Sequence, residues 1–264
     1  MKKYLVIGNP IEHSLSPKLH NFWIKENNIN AVYNKKKLEE KEIESFIQQI
    51  KQKKIIGSNV TIPFKKTVIS YLDKLSSEAE QTQSVNTIIF DNDNLIGHNT
   101  DISGFTKAIK SLDYNMKGKK VFILGAGGVV PSIVFALIKM KALEIIITNR
   151  TKQKAENLKK QFENVKVLSW GNIPEFDVVI NATSVGLKKE AINLDFSNVG
   201  SGKLFYDVIY NPEETNFLKV GRKLGNQVEN GKLMFVYQAF EAFKLWHGIE
   251  PKINSETLKL LDND

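Results

Sequence analysis

Short apolar runs alternate with longer amphipathic stretches along most of this chain, a pattern of strands separated by helices. The clearest case is Val121–Leu124, which runs into the cluster Gly125-Ala126-Gly127-Gly128 and then the helix-like stretch Ser132–Lys141. A second apolar run, Glu144–Thr148, stops at Asn149-Arg150-Thr151. Strand, glycine turn, helix and strand in that spacing predict a nucleotide-binding βαβ unit. Glycines let backbone N–H groups approach a pyrophosphate, and the helix N-terminus adds a favourable partial charge. The fingerprint is incomplete, because Val130 stands where a third small residue is usual. Pro131 fits a first helical turn, whose N–H groups lack intrahelical partners in any case.

The first hundred residues repeat the alternation. Strands are expected at Tyr4–Ile7, Ala31–Asn34, Ile55–Val60 and Val85–Phe90, with Leu95–His98 returning after the turn Asp91–Asn94. Helices are expected from Ser16, as N-cap before Pro17, and over Glu40–Lys51 and Lys65–Leu75. A helix from about Ile102 leads into the βαβ unit, and strands follow at Val165–Leu168, Val178–Ile180 and Leu204–Asp207. The apolar and aromatic stretch Leu233–Gly248 has helical spacing and is expected to pack back on the first half. The pattern therefore predicts two α/β domains with a cleft between them. Residues 1–101 plus 237–264 form one, with a mostly parallel sheet, and residues 102–236 form a Rossmann domain.

Composition narrows the chemistry. With 264 residues and 42% hydrophobic content, the chain is long enough for two modest domains. It has no cysteine, which excludes disulfides, thiol nucleophiles and cysteine-held metals. Its four histidines include no i,i+4 pair, so a metal site lacks its usual signature. No run approaches the roughly 18 apolar residues of a transmembrane helix, and no secretory pattern opens the chain, which predicts a cytoplasmic protein. The net charge of +8 comes from scattered lysines without interleaved aromatics. That fits a solvated surface that also attracts anionic small molecules better than a nucleic-acid platform.

Candidate chemistry gathers at predicted strand ends. Arg150 closes the second strand of the βαβ unit where a carboxylate would hydrogen-bond a ribose 2′-hydroxyl, so a 2′-phosphate, and hence NADP, is favoured. Ser14 and Ser16 lie beside a predicted helix N-terminus, a site for a carboxylate or phosphate, although capping alone would account for Ser16. Asn59, Thr61 and Lys65 alternate out of a strand end, Val85-Asn86-Thr87 starts another, and Asn99-Thr100-Asp101 precedes a helix. Taken singly, Lys65 reads as a solvated charge, Asp101 as a cap and His98 as structural.

Together these clusters resemble the shikimate dehydrogenase family over nearly the whole length. The matching stretches are Gly8–Asn21 (GNPIEHSLSPKLHN), Asn59–Lys65 (NVTIPFK), Val85–Thr87, Asn99–Phe105 (NTDISGF), Gly125–Gly128, Asn149–Thr151, Asn181–Gly186 (NATSVG) and Gln238–Gly248 (QAFEAFKLWHG). The resemblance implies reversible reduction of 3-dehydroshikimate to shikimate with NADPH, a step of aromatic amino-acid biosynthesis. It implies a catalytic pair, Lys65 and Asp101, with the proton-transfer role open between them because close pairs titrate together. Ser14 and Ser16 would hold the substrate carboxylate, and Asn59, Thr61, Asn86 and Gln238 its hydroxyls. For the cofactor, Gly125, Ala126, Gly127, Gly128 and Val129 would face the pyrophosphate. Asn149, Arg150, Thr151 and Lys154 would face the 2′-phosphate, and Thr183 and Ser184 the nicotinamide ribose. Tyr210 and Gly231 would lie near the nicotinamide. A monomer or homodimer with a small-molecule substrate, no metal and no nucleic-acid or membrane partner follows, with an NAD-dependent quinate/shikimate dehydrogenase as the alternative. Val129-Val130 and Lys232 depart from the small or apolar residues usual at those places, and touch no catalytic position.

Overall fold

Strand pairing divides the described residues into two six-stranded sheets, one in each of two units of the chain. The computed structural model describes residues 1–188 and 190–262. Unit 1 comprises Met1–Gly104 and the stretch from Val236 onward; unit 2 comprises Phe105–Phe235.

Unit 1 begins with β1 (Lys2–Gly8), α1 (Ser16–Glu26), β2 (Ala31–Lys37), α2 (Ile43–Lys51) and β3 (Gly57–Val60). It continues with β4 (Lys74–Leu75), α3 (Ser77–Thr82), β5 (Thr87–Asp91), β6 (Asn94–His98) and the start of α4 (Asp101–Ser111). The sheet order is β2-β1-β3-β5-β6-β4. Strands β2, β1 and β3 run parallel, as do β6 and β4, whereas β5 is antiparallel to both β3 and β6. The β5–β6 hairpin follows from Asn92 and Asp93, both in the left-handed region that a two-residue turn of matching twist requires. Helix α2 buries Ile43, Phe46, Ile47 and Ile50, one face at helical spacing.

Two expectations change here, and one helix was not foreseen. Ser16 is the first residue of α1 and makes no side-chain cap; its N–H instead donates to Ser14 Oγ at 3.4 Å. Lys65–Leu75 is not an α-helix. A 3₁₀ turn spans Thr67–Tyr71, and Lys74–Leu75 pairs with β6, because the apolar residues are drawn onto the sheet. The polar helix α3, capped by Ser76 accepting from Ala79 N–H, carries too few apolar residues to be seen by periodicity.

Unit 2 contains β7 (Lys120–Leu124), α5 (Val130–Lys139), β8 (Glu144–Thr148), α6 (Lys152–Gln161) and β9 (Val165–Leu168). Then come β10 (Val178–Asn181), β11 (Leu204–Asp207), α7 (Asn216–Lys223) and β12 (Gln227–Glu229). The order β12-β11-β10-β7-β8-β9 is parallel throughout, as in a doubly wound Rossmann sheet. The chain leaves β7 toward β8 on one side and β10 toward β11 on the other. The ends of β7 and β10 thus form the switch point where such sheets bind ligands. Both β10 and β11 are buried along their length, as parallel strands covered on two faces must be.

Helix α8 (Lys232–His247) contains the boundary between units, and α9 (Ser255–Lys259) belongs to unit 1. The later part of α8 packs on the unit 1 sheet. Trp246 donates to the Ile88 carbonyl at 3.1 Å and occupies the space beside Gly57, where any Cβ would strike its indole.

Candidate active site

In unit 1, three polar clusters far apart in sequence meet at one end of the sheet. Strand β3 ends there, antiparallel β5 begins there, and β6 ends there, so Asn59, Asn86 and Thr100-Asp101 become neighbours. At the centre, Lys65 Nζ lies 2.5 Å from Asp101 Oδ2. Their side chains are only 12% and 8% exposed, so this is a largely buried charge-assisted hydrogen bond and not a solvated surface pair. Lys65 is carried on a turn whose buried neighbour Phe64 anchors it, and its own carbonyl accepts from Val85 N–H at 2.8 Å. Asp101 opens α4, and one oxygen of its carboxylate takes the Lys65 ammonium. The second oxygen accepts from Asn86 Nδ2 at 2.9 Å, and the Asp101 N–H is taken by Asn99 Oδ1.

The amides around this pair are held as firmly. Asn86 donates its two N–H groups to Thr100 Oγ1 and Asp101 Oδ1, and its oxygen accepts from Thr100 N–H at 2.8 Å. Asn59 donates to the Asn86 carbonyl and to Thr87 Oγ1, while its oxygen accepts from the Tyr33 hydroxyl at 2.6 Å. An amide oxygen carries two lone pairs, so Asn59 can accept one further hydrogen bond. Ser16 is buried within hydrogen-bonding reach of the same Tyr33 phenol, and Ser14 is half-buried beside it in sequence. Thr61 N–H donates to the Ile7 carbonyl and its methyl fills the space at Gly8. Gln238 lies half-buried on the unit 1 part of α8.

The sequence singled out Lys65, Asp101, Asn86 and Asn59 through the family resemblance; taken singly, Lys65 read as a solvated charge and Asp101 as a cap. Thr87 and Thr100, which complete the network with their hydroxyls, stood in the same clusters without a role assigned to them, and Tyr33 was missed, with no signal beside any singled-out residue to find it.

Unit 2 presents a different kind of site, made mainly of backbone. Gly125 follows β7 with φ +110°, and a Cβ there would sit 2.8 Å from the Ala182 carbonyl oxygen at the end of β10. No side chain caps the N-terminus of α5, and Ala126, Gly127, Gly128 and Val129 lead into it, with Gly127 and Gly128 exposed. At the end of β8, Asn149 donates to the Thr151 carbonyl at 2.8 Å, and Arg150, Thr151 and Lys154 are exposed. The first turn of α6 holds no acidic residue. Cations at a positive helix end are unfavourable unless an anion joins them, so this corner fits a phosphate. After β10, Thr183 is fixed through Asn181 Oδ1 at 2.7 Å and Ser184 is exposed. A Cβ at Gly231 would meet the Val208 carbonyl at 2.1 Å, and Tyr210 stacks on Phe235 with ring centroids 4.6 Å apart. These residues fit a dinucleotide with an additional phosphate.

Comparison with known proteins agrees along the chain. Residues 6–88 match the family description "Shikimate dehydrogenase substrate binding domain", residues 106–194 "Shikimate / quinate 5-dehydrogenase" and residues 233–254 "Shikimate 5'-dehydrogenase C-terminal domain". The shikimate dehydrogenase (NADP(+)) of Pelagibacter ubique is 54% identical over 262 residues, 99% of each chain. The chain belongs to the shikimate dehydrogenase family. Among solved shikimate dehydrogenases, that of Aquifex aeolicus superposes with a TM-score of 0.90 at 35% identity, covering 100% of this chain and 98% of the other. The Thermus thermophilus enzyme, solved in complex with NADP(H) and shikimate, gives 0.90 at 30% identity, covering 99% and 98%. Among the described residues, no group of His, Asp or Glu could hold a metal ion and no helix is long and apolar enough to cross a membrane.

Proposed function

We propose that this chain catalyses the reversible, NADPH-dependent reduction of 3-dehydroshikimate to shikimate, within the shikimate pathway of aromatic amino-acid biosynthesis. The observation that carries the reading is the buried Lys65–Asp101 pair at the end of the unit 1 sheet. NADPH, when bound, supplies the hydride. The residues of unit 1 must then place the ketone, stabilise the charge that develops on its oxygen and deliver a proton. Lys65 does the last two: one N–H is held by Asp101, and the others are available to the substrate oxygen. As the new O–H bond forms, the Lys65 N–H bond breaks, and Lys65 regains its proton from water. Asp101, fixed by Asn86, holds the ammonium in place and provides its counter-charge.

Ser14 and Ser16 hold the ring carboxylate. The free acceptor of Asn59, with Thr61 and Gln238, orients the ring hydroxyls, and Asn86 contributes mainly by fixing Asp101. Gly125–Val129 and the N-terminus of α5 hold the pyrophosphate. Arg150 and Lys154, with Asn149 and Thr151, hold the 2′-phosphate; Thr183 and Ser184 support the ribose, and Tyr210 and Gly231 the nicotinamide end. A cytoplasmic monomer or homodimer acting on a small molecule completes the reading. Initial rates for shikimate and quinate, each with NADP and with NAD, test it. Shikimate with NADP should be fastest, and faster turnover with quinate or NAD would overturn the assignment.

A further inference from the structure

The matched stretch Gly8–Asn21 ends in His20-Asn21, and neither residue has a part in the chemistry above. Both act on Tyr33. Asn21, on α1, brackets the backbone of Tyr33 in β2: its Oδ1 accepts from Tyr33 N–H at 2.9 Å and its Nδ2 donates to the Tyr33 carbonyl at 2.7 Å. The His20 ring lies flat on the Tyr33 ring, with centroids 4.2 Å apart and planes 4° from parallel. His20 is 1% exposed, and neither of its ring nitrogens has a hydrogen-bond partner. It serves as a flat apolar plate, and burial holds it neutral by pushing its pKa down to about 3. Tyr33 is itself 1% exposed, and its hydroxyl donates to Asn59 Oδ1 at 2.6 Å.

We propose that Tyr33 is a positioning residue for substrate selection: it fixes the amide of Asn59 so that one acceptor position faces a ring hydroxyl. The hydrogen-bond directions make this specific. The N–H groups of Asn59 go to the Asn86 carbonyl and to Thr87 Oγ1, so its oxygen is the one group left to accept, and the phenol fixes its direction while leaving a second lone pair. Burial raises the Tyr33 pKa well above its usual value, so the phenol remains a donor at any working pH. Without that donor, the Asn59 oxygen loses its partner and the amide, still held through its N–H groups by Asn86 and Thr87, is less tightly oriented. Binding of the substrate hydroxyl weakens, while the Lys65–Asp101 pair, held through Asn86, stays in place.

The role rests on the shikimate reading above, and one set of assays separates the two. In Tyr33→Phe, the shikimate KM should rise about tenfold, the loss of one buried hydrogen bond with its positioning, while kcat and the NADP KM change less than about twofold. In an Asn59→Ala background, adding Tyr33→Phe should change the shikimate KM much less than it does in the wild type, because Tyr33 acts mainly through Asn59 and only its contact with Ser16 remains. Wild-type turnover of shikimate with an unchanged KM in Tyr33→Phe, or additive effects in the double variant, overturns the positioning role alone. Absence of wild-type turnover overturns the functional reading and this role with it. If Tyr33→Phe does not fold, Asn21→Ala, which loosens the strand and keeps the phenol, should raise KM about threefold and be silent in the Asn59→Ala background. A full additional effect there overturns the proposal.

Discussion

Asp101 in unit 1 and Asp207 in unit 2 are both buried carboxylates whose oxygens all accept hydrogen bonds, yet their surroundings differ in sign. Asp101 faces the Lys65 ammonium as well as the Asn86 amide. Asp207 faces only neutral donors: Asn181 Nδ2 at 3.0 Å, Ile209 N–H at 3.0 Å and Thr215 Oγ1 at 2.6 Å. Burial without a cation pushes the Asp207 pKa up from 3.8 to about 6. Its network joins the ends of β10 and β11 to the N-terminus of α7, where Thr215 also accepts from Leu218 N–H. The contrast separates two uses of a buried acid. One is paired with a cation and left slightly exposed; the other is sealed and ties backbone together.

Four substitutions break or sharpen that contrast. The largest effect is expected from Lys65→Ala, which should lower kcat by about 10³-fold with little change in shikimate affinity, since its work is done in the transition state. Steady-state and binding measurements check this, and lost affinity with retained turnover would make Lys65 a binding residue. Asp207→Asn should act on stability instead. The folded state of the wild type holds the Asp207 proton more tightly than the unfolded state. That contribution is complete below pH about 4 and lost as pH rises through about 6, a difference of roughly 3 kcal/mol. Denaturant unfolding across this window should show wild type losing stability relative to Asp207→Asn, and parallel curves would show that the buried carboxyl is not protonated as described.

A smaller effect, about 2 kcal/mol, is expected for Gly125→Ala, which combines φ +110° with a Cβ 2.8 Å from a carbonyl oxygen. NADP affinity should fall with stability, whereas shikimate affinity, set in unit 1, should not. The smallest is Arg150→Ala. Losing one exposed cation should raise the NADP KM about tenfold and leave the NAD KM unchanged. Equal changes for both cofactors would remove the 2′-phosphate from its role.

Much of unit 2 was legible because fully parallel sheets write themselves as continuous apolar runs. Glu144–Thr148, Val165–Leu168 and Leu204–Asp207 are strands with the bounds their runs suggest. Unit 1 was less transparent where tertiary demands override local pattern. Val68, Ile69, Leu72 and Leu75 have helical spacing, but the sheet claims Leu75 and only a 3₁₀ turn forms before it. The polar clusters at strand ends were visible as clusters. Their wiring was not, because antiparallel β5 brings Asn86 between Asn59 and Asp101, and nothing local in the sequence links Tyr33 to Asn59.

The boundary inside α8 has a consequence for synthesis. Unit 1 is written in two pieces, with all of unit 2 between them. The indole of Trp246, which fills the space beside Gly57, and the Gln238 side chain leave the ribosome only after the Rossmann sheet has been made. The nascent chain can therefore complete its nucleotide-binding half first, while the half bearing Lys65 and Asp101 waits for its last layer. A message cut short before Val236 yields a chain with every residue assigned to the cofactor and a unit 1 sheet complete in its strands but without the helical layer that covers it.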